Sequence, residues 1–224
     1  KALTQFGRFY TITYANRFVP VGQLAMKRLL DLVGALVGCV FLGILTVIVG
    51  PMIKLESPGP IFFAQKRVGR NGRIFKMYKF RSMYADAEER KKELMAQNEM
   101  NGLMFKMEND PRITKTGAFL RKTSLDEFPQ FINILKGDMS LVGPRPERPQ
   151  YVEKFKEEIP RYMIKHQVRP GLTGWAQING YRGDTSIRKR IEYDIYYIEN
   201  WSMTLDLKIL FLTVFKGFIN ENAY

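Results

Sequence analysis

Two adjacent carboxylates, Asp126 and Glu127, stand among basic residues and are the best candidates for chemistry in this sequence. A carboxylate pair can supply a nucleophile and help to hold a divalent cation. Arg121 precedes the pair, and Arg145 follows it within a Gly-Pro-Arg-Pro turn. Cations on both sides favour a reaction on an anionic substrate, because they offset the repulsion between two anions. The alternative is that the pair only caps a helix, since acidic residues are common in first turns.

The residues around the carboxylates predict a short amphipathic helix over about 125–136, which ends at Gly137. Ser124 with Glu127 three residues later has the pattern of a capping box, while a following proline favours a start one or two residues further on. Either start leaves Asp126 in or beside the first turn. Peptide dipoles there favour negative charge, so we expect Asp126 to be ionised.

Cysteine and histidine are too scarce for several common kinds of site. Cys39 and His166 are the single examples in 224 residues, which excludes a disulfide framework and histidine-rich zinc sites. The length and the 46% hydrophobic content suit one domain with a core. The first residue is Lys1 rather than methionine, so we interpret residues 1–26 as a linker from a missing upstream region and 27–224 as the catalytic domain.

An uncharged segment near the start of the chain predicts a membrane helix over about 29–53. Residues 32–53 carry no charge, and 22 helical residues extend about 33 Å, enough to cross a bilayer. Residues 1–28 have five basic and no acidic side chains, and residues 54–81 have eight basic and one acidic. Because cytoplasmic flanks are enriched in Lys and Arg, two basic flanks favour a re-entrant helix over an ordinary transmembrane one, which stays the alternative. The candidate break points are Gly43, Gly50 and Pro51.

The remaining segments predict the elements that position the carboxylates. Apolar runs on both sides of Asn71-Gly72 predict a β-hairpin with a tight turn. Charged residues 86–100 predict a surface helix, and residues 151–165 and 187–197 predict two more helices. The apolar helix over 203–219 carries charges, so we expect it to lie in the membrane interface. The predicted fold class is α+β and mainly helical, with a membrane-embedded re-entrant helix, a small β-hairpin and interfacial amphipathic helices.

Three sequence blocks resemble a known family. They are SLDEFPQFINILKGDMSLVGPRP from Ser124, KMYKFRSM from Lys76 and VRPGLTGWAQING from Val168. From about Lys27 onward the chain closely resembles the bacterial polyprenyl-phosphate phosphoglycosyl transferases, monotopic sugar-phosphate transferases that begin glycan assembly on a membrane lipid. That family typically carries a Ser-Pro pair near the middle of its membrane segment, where this chain has Gly43-Ile44.

The resemblance implies an activity and a set of site residues. Hexose-1-phosphate would pass from a UDP-hexose, with glucose or galactose expected, to polyprenyl (undecaprenyl) phosphate. UMP would be released in this first membrane step of exopolysaccharide, capsule or O-antigen assembly. Asp126 would form a covalent aspartyl-phosphosugar, and Glu127 with Asp126 would hold Mg²⁺. Asp194 matches an acidic position of the family and is a candidate supporting residue. The residues expected to bind substrate phosphates are Lys79, Arg81, Arg121, Arg145 and Arg169.

The resemblance also implies partners and a location. The expected partners are the UDP-sugar, the polyprenyl phosphate lipid and the membrane, with a homodimer as a further candidate and no nucleic acid. The expected location is the bacterial inner (cytoplasmic) membrane, with the active site on the cytoplasmic face. A metal-dependent glycosyltransferase stays an alternative, although the sequence lacks the usual Asp-x-Asp motif. A membrane adaptor would fit the net charge of +13 but would explain neither the Leu-Asp-Glu nor the Gly-Pro-Arg-Pro motif.

Overall fold

The computed structural model describes residues 2–6, 9–13, 20–94, 110–183 and 185–216. Part of the predicted 86–100 helix and residues 217–219 lie outside these ranges. The strands are β1 (Ala2–Phe6), β2 (Phe9–Thr13), β3 (Phe62–Val68), β4 (Ile74–Phe80), β5 (Ser140–Val142) and β6 (Gly171–Thr173). The helices are α1 (Val21–Glu56), α2 (Ala87–Leu94), α3 (Lys115–Lys122), α4 (Gln130–Lys136), α5 (Pro149–Glu158), α6 (Trp175–Ile178), α7 (Ile187–Glu199) and α8 (Met203–Lys216). The prediction of a mainly helical α+β fold is confirmed.

The long helix α1 is the most apolar element of the described chain. It has 36 residues, and its most apolar window of 18 residues reaches a mean hydropathy of 2.8, enough to cross a membrane by length and composition. It extends beyond the predicted 29–53 at both ends, and the predicted domain boundary after residue 26 falls inside it. The backbone stays helical at Gly43, Gly50 and Pro51. The re-entrant topology therefore stays a prediction, without a visible break in the helix.

One face of α1 packs closely on the rest of the domain. A Cβ atom at Gly38 would lie 2.4 Å from Cγ of Phe131, and one at Gly34 would lie 2.6 Å from Cδ1 of Leu141. These glycines therefore let α4 and β5 approach the helix backbone. The opposite face of α1 leaves large apolar side chains exposed. They include Leu36, Val40, Phe41, Ile44, Val47 and Ile48.

The strands form small two-stranded sheets rather than one layer. β3 and β4 pair in antiparallel register from Phe62–Phe80 to Val68–Ile74, which confirms the predicted hairpin. The connection covers residues 69–73 and is longer than the tight turn expected, although Asn71 and Gly72 both have positive φ, at 55° and 76°. The short strands β5 and β6 pair in parallel behind the Gly-Pro-Arg-Pro turn. β4 of the hairpin packs against α4, and β5 packs against α1.

The helices of the C-terminal half lie where the sequence predicts them, except that one predicted helix is interrupted near a proline. α7 matches the predicted helix over 187–197, and α8 matches the described part of the predicted helix over 203–219. The predicted helix over 151–165 is wrong in its second half, because α5 ends at Glu158 and residues Tyr162–Gln167 form a separate 3₁₀ turn. Pro160 explains the interruption, since a proline disfavours helical backbone at the residue before it.

Candidate active site

The two carboxylates lie in a 3₁₀ turn between two helices. Leu125–Glu127 forms this turn, and α4 begins only after Pro129. The predicted capping box is wrong, because Ser124 adopts left-handed backbone (φ 56°) and its side chain caps nothing. Its carbonyl oxygen instead accepts from the Glu127 N–H at 3.2 Å. Gly137 ends α4 at φ 84°, as predicted.

A lysine from β4 and an arginine from the Gly-Pro-Arg-Pro turn meet the carboxylates. Lys79 Nζ lies 2.9 Å from Oδ2 of Asp126 and 3.0 Å from Oε1 of Glu127. Arg145 Nη2 lies 2.9 Å from the same Oε1 of Glu127. Both carboxylate residues are only 6% exposed. The structure thus brings together four of the residues that the sequence singled out.

Arg182 is a further cation in this site that the sequence analysis missed. Its Nη2 lies 3.5 Å from Oε2 of Glu127, on the other carboxylate oxygen from Arg145. Arg182 comes from the segment between α6 and α7, where Gly180 and Gly183 have positive φ of 87° and 70°. An arginine between two glycines, just after the matched VRPGLTGWAQING block, is the signal that could have identified it. We call Lys79, Asp126, Glu127, Arg145 and Arg182 the carboxylate cluster.

The two carboxylates differ in how fully they are paired. Burial alone would raise the pKa of Glu127, but the charges of Arg145, Lys79 and Arg182 outweigh it and hold that pKa well below its ordinary value. The negative charge of Glu127 in turn raises the pKa of Arg145. Asp126 is paired with Lys79 through Oδ2, and its Oδ1 has no hydrogen-bond partner among the described residues. Glu127 is thus fixed by three cations, while Asp126 keeps one oxygen available.

Two of the expected phosphate-binding residues have other partners. Arg81 is 7% exposed, and its guanidinium donates to the carbonyl oxygens of Ile53, Ser57 and Pro58, where α1 ends. Arg121 lies in the last turn of α3, and its Nε donates to Oγ of Ser82 at 2.9 Å. Within the described residues, the guanidinium of Arg81 is bound at the end of α1 rather than at the carboxylate pair.

Arg169 and Asp194 also lie apart from the carboxylate pair. Burial lowers the pKa of Arg169, and the charge of nearby Arg28 lowers it further while that of Asp31 opposes the shift. Asp194 is 2% exposed, and its Oδ2 lies 3.1 Å from Nζ of Lys165. Burial raises the pKa of Asp194, and the Lys165 charge opposes this rise. Asp194 therefore belongs to a separate buried ionic network.

The carboxylate cluster offers two metal ligands, the side chains of Asp126 and Glu127, which can provide only part of the coordination shell of a metal ion. Asp126 and Glu127 offer two neighbouring carboxylates, which Lys79 Nζ bridges. No group of three or more His, Cys, Asp or Glu side chains converges within the described ranges. Mg²⁺ is often bound through one or two carboxylates while substrate phosphates and water complete its shell. The residues fit a substrate-completed Mg²⁺ site and do not form an all-protein cage.

The sequence is similar to those of several known proteins. The sequence pattern described as bacterial sugar transferase matches residues 22–220. Galactosyl transferase CpsE of Streptococcus agalactiae serotype III (strain NEM316) is 47% identical over 214 residues, which cover 96% of this chain and 47% of that protein. UDP-glucose:undecaprenyl-phosphate glucose-1-phosphate transferase of Escherichia coli (strain K12) is 46% identical over 203 residues, 89% of this chain and 41% of that protein.

The name of a third relative contains a different sugar, N-acetylgalactosamine. UDP-N-acetylgalactosamine-undecaprenyl-phosphate N-acetylgalactosaminephosphotransferase of Aeromonas hydrophila is 45% identical over 191 residues, 84% of this chain and 43% of that protein. The chain spans less than half the length of these three relatives. The family pattern nevertheless covers nearly all of α1 and every element of the carboxylate cluster. The chain belongs to the bacterial sugar transferase family.

Proposed function

We propose that this protein transfers a sugar-1-phosphate from a UDP-sugar to undecaprenyl phosphate and releases UMP. The names of the Escherichia coli and Aeromonas hydrophila relatives support the donor and acceptor classes. The observation that carries the proposal is the unequal pairing of the two carboxylates. Glu127 is held by three cations, whereas Asp126 keeps Oδ1 without a partner in the described chain. An ionised carboxylate oxygen beside several cations is suited to attack a phosphorus atom.

The reaction takes place in two displacement steps. In the first, an oxygen of Asp126 forms a bond to the sugar-side phosphorus, and the bond between that phosphorus and the bridging oxygen breaks. The electron pair leaves with UMP, and an aspartyl-phosphosugar remains. In the second, an oxygen of undecaprenyl phosphate attacks the same phosphorus and the carboxylate of Asp126 leaves. The products are the lipid-linked sugar pyrophosphate and the original enzyme.

The cations of the cluster have a defined task in both steps. A carboxylate that approaches a pyrophosphate meets another anion, so positive groups must already be in place. Lys79 and Arg145 are 21% and 25% exposed at their side chains, which leaves them accessible to a substrate phosphate. Arg182, at 17%, offers a planar fork on the opposite side of Glu127. These three side chains orient the pyrophosphate and stabilise its developing charge.

We infer that Mg²⁺ is the cofactor, held by Glu127 and Asp126 together with substrate phosphates. When bound, the ion supplies further positive charge at the pyrophosphate. Glu127 suits a ligand because its low pKa keeps it ionised at any physiological pH. Removal of the ion with EDTA is expected to abolish turnover, and added Mg²⁺ is expected to restore it.

We propose that α1 is embedded in the membrane with both ends on the cytoplasmic side. At one end, Lys27 Nζ lies 2.6 Å from Oδ2 of Asp206 in α8. At the other end, Glu56 accepts from the backbone N–H groups of Lys115 and Thr116, at 2.6 and 2.9 Å. These contacts are separated by about 44 Å of helix. A straight crossing would carry one of them to the far side of the bilayer, although both belong to the domain that holds the carboxylate cluster.

The exposed apolar surfaces are consistent with this membrane position. The outer face of α1 and the outer face of α8 both expose large apolar side chains, which favours burial in lipid. The exposed apolar side chains of α8 are Leu207, Phe211, Val214 and Phe215. A site at the membrane surface would meet the lipid phosphate and the soluble UDP-sugar together. The identity of the hexose, with glucose or galactose expected, the glycan pathway and the homodimer stay predictions, as does the expected lack of nucleic-acid binding.

Product analysis tests the proposed reaction. The purified chain in lipid nanodiscs is incubated with Mg²⁺, undecaprenyl phosphate and one UDP-sugar at a time from a panel of hexoses and N-acetylhexosamines. We expect UMP and a lipid-linked sugar pyrophosphate from at least one donor. Release of UDP would instead identify a glycosyltransferase that moves the sugar alone. No nucleotide product from any donor would leave a binding role and contradict the proposal.

A further inference from the structure

Arg190, near the start of α7, links two separate segments of the chain. It is 4% exposed, and its guanidinium contacts both segments with different nitrogens. Nη1 lies 3.4 Å from Oε1 of Glu147. Nη2 donates to the carbonyl oxygen of Gly183 at 2.8 Å and to Oγ1 of Thr185 at 3.3 Å. One buried side chain therefore joins the segment around Glu147 to the segment around Gly183.

Each of these segments carries one arginine of the carboxylate cluster. Glu147 follows Arg145 by two residues, and Gly183 follows Arg182 directly. Arg145 contacts Oε1 of Glu127, while Arg182 contacts Oε2. The two arginines thus approach one carboxylate from two sides, and their chain segments are joined behind them. Arg190 itself does not contact the carboxylate pair.

The Glu147 side of this link is rigid. The Glu147 backbone oxygen accepts from the Val68 N–H at 2.9 Å, and Arg67 Nη1 donates to the Pro146 oxygen at 3.1 Å. The Glu147 carboxylate also lies 4.0 Å from Nζ of Lys165. Burial alone would raise the pKa of Glu147, but Lys165, Arg190 and other cations lower it, so the carboxylate stays charged. This segment has a fixed place on β3.

The Gly183 side is anchored before Arg182 by Tyr181, whose N–H donates to the Ala176 carbonyl oxygen at 3.0 Å and whose ring lies 4.7 Å from that of Tyr193. After Arg182, Gly183 and Thr185 are held by Arg190. Two glycines with positive φ, Gly180 and Gly183, flank Arg182, and such backbone is compatible with many alternative conformations. The distance from Arg182 Nη2 to Glu127 Oε2, 3.5 Å, is also the longest of the ion-pair distances in the carboxylate cluster. The Arg190 contacts to Gly183 and Thr185 therefore restrict the segment that presents Arg182.

We propose that Arg190 is a positioning residue that fixes Arg182 relative to Arg145 by joining their two segments. This inference rests on the proposed function, because it assigns the two arginines to the same pyrophosphate. Prepositioned donors stabilise a transition state best when no reorganisation is needed at the moment of reaction. Lysine cannot replace Arg190, since one ammonium group cannot reach Glu147 and Gly183 with the fork geometry of a guanidinium.

The first test is a double-mutant cycle with Arg190→Lys and Arg182→Ala. We expect Arg190→Lys alone to lower kcat about 10-fold, less than the roughly 100-fold cost of losing one oriented donor, because Arg182 is displaced but still present. In the Arg182→Ala background, the same change is expected to lower kcat by less than about 2-fold, because its target has gone. Arg188→Lys, an exposed position on the same helix, is the matched control and is expected to leave kcat unchanged. Equal effects of Arg190→Lys in both backgrounds would overturn the proposal.

A second measurement does not depend on activity. Hydrogen–deuterium exchange of the folded protein in nanodiscs is expected to rise in peptides covering 180–186 for Arg190→Lys and not for Arg188→Lys. Thr185→Val removes one acceptor of Arg190, so exchange in the same peptides is expected to rise by a smaller amount. This variant replaces Arg190→Lys in the test if Arg190→Lys fails to fold. Unchanged exchange in both variants would overturn the proposal. Absence of UMP release by the wild type would contradict the proposed function instead, and exchange would still decide the role of Arg190.

Discussion

Lys79 and Arg81 stand two residues apart in the KFRSM block, yet they serve two different regions of the molecule. Lys79 belongs to the carboxylate cluster, where its ammonium lies about equally close to Asp126 and Glu127. Arg81 belongs to a second region, the helix junction, which we define as Arg81 with residues 53–58 at the end of α1. There its guanidinium donates only to backbone carbonyl oxygens in the described chain.

The difference between the two regions lies in what remains for a substrate. Cluster cations are paired with carboxylates and are partly exposed, so each can also bind a second anion. Arg81 is buried, and its guanidinium donates to the carbonyl oxygens of Ser57 and Pro58 directly after α1. It also contacts the Ile53 oxygen, which accepts from the Ser57 N–H as well. Two cations of one motif can thus have different tasks, one paired with carboxylates and partly exposed, the other buried at the end of α1. The partner atoms, rather than the residue type, distinguish the two roles.

The largest effect is expected from Asp126→Asn in the carboxylate cluster. The amide can still accept from Lys79, so the fold and the membrane association should persist, but it cannot form an acyl phosphate. We expect turnover to fall at least about 1,000-fold, as for loss of other catalytic nucleophiles. The measurement is UMP release together with the thermal midpoint. The control is Glu153→Gln, the same chemical change at an exposed ion pair on α5. Substantial remaining turnover would remove Asp126 as the nucleophile.

Arg145→Ala is the next largest change and should separate rate from stability. We expect kcat/KM to fall about 100-fold, as for removal of one charged donor to a transition state. The thermal midpoint should change little, because Glu127 keeps two cations, Lys79 and Arg182. Arg148→Ala, three residues later in the same segment, is the control. A lower midpoint with normal turnover of the folded fraction would make Arg145 a structural residue.

Arg81→Gln is expected to show the opposite pattern, a loss of stability with little change in substrate binding. It removes the Arg81 donor from the carbonyl oxygens of Ser57 and Pro58, which costs about 1–3 kcal/mol of unfolding free energy. The thermal midpoint is expected to fall by about 2–4 °C for each kcal/mol, while KM for the UDP-sugar stays within about 3-fold of the wild-type value. Lys79→Gln, measured alongside, should lower the rate and change the midpoint less. A large rise in KM for Arg81→Gln would instead support the phosphate-binding role implied by the family resemblance.

The sequence predicted individual elements where one residue determines the backbone. Gly137 ends α4 because its positive φ suits glycine, and Asn71-Gly72 turns the β3–β4 hairpin for the same reason. The capping box failed because Ser124 and Glu127 had the right spacing but the following proline delayed the helix. Spacing alone cannot tell which of two compatible starts is used.

The cluster was only partly predictable, since its members come from four distant segments. Motif resemblance pointed to Lys79 and Arg145, and the structure brings both to the carboxylates. Arg182 lies on a glycine-flanked segment without periodic pattern, so no spacing rule identifies it. Arg81 shares its motif with Lys79, but its partners are the carbonyl groups of a helix that ends 25 residues earlier in the sequence. Such contacts depend on tertiary packing rather than on local sequence.

The smallest effect on activity is expected from two cysteine variants that locate the helix junction relative to the membrane. With Cys39 replaced, Gln23→Cys and Pro60→Cys introduce thiols at exposed positions on either side of the apolar part of α1. Neither residue contacts the carboxylate cluster, so turnover should stay near normal. The measured quantity is labelling by a membrane-impermeant thiol reagent, first in intact cells and then after the cells are opened.

Both thiols should resist the reagent in intact cells and react once the cells are opened. The physical reason is that each end of α1 is attached to the same domain, Lys27 to Asp206 and Glu56 to the start of α3. The two basic flanks agree, because a crossing would leave one of them outside against the usual charge bias. The unbroken helix at Gly43 is the opposing observation, since an unbroken apolar helix of this length could cross. Labelling of the Gln23 site from outside would mean that α1 spans the membrane. The N-terminal flank would then lie outside the cell, while the carboxylate cluster and the helix junction would both lie on the cytoplasmic side.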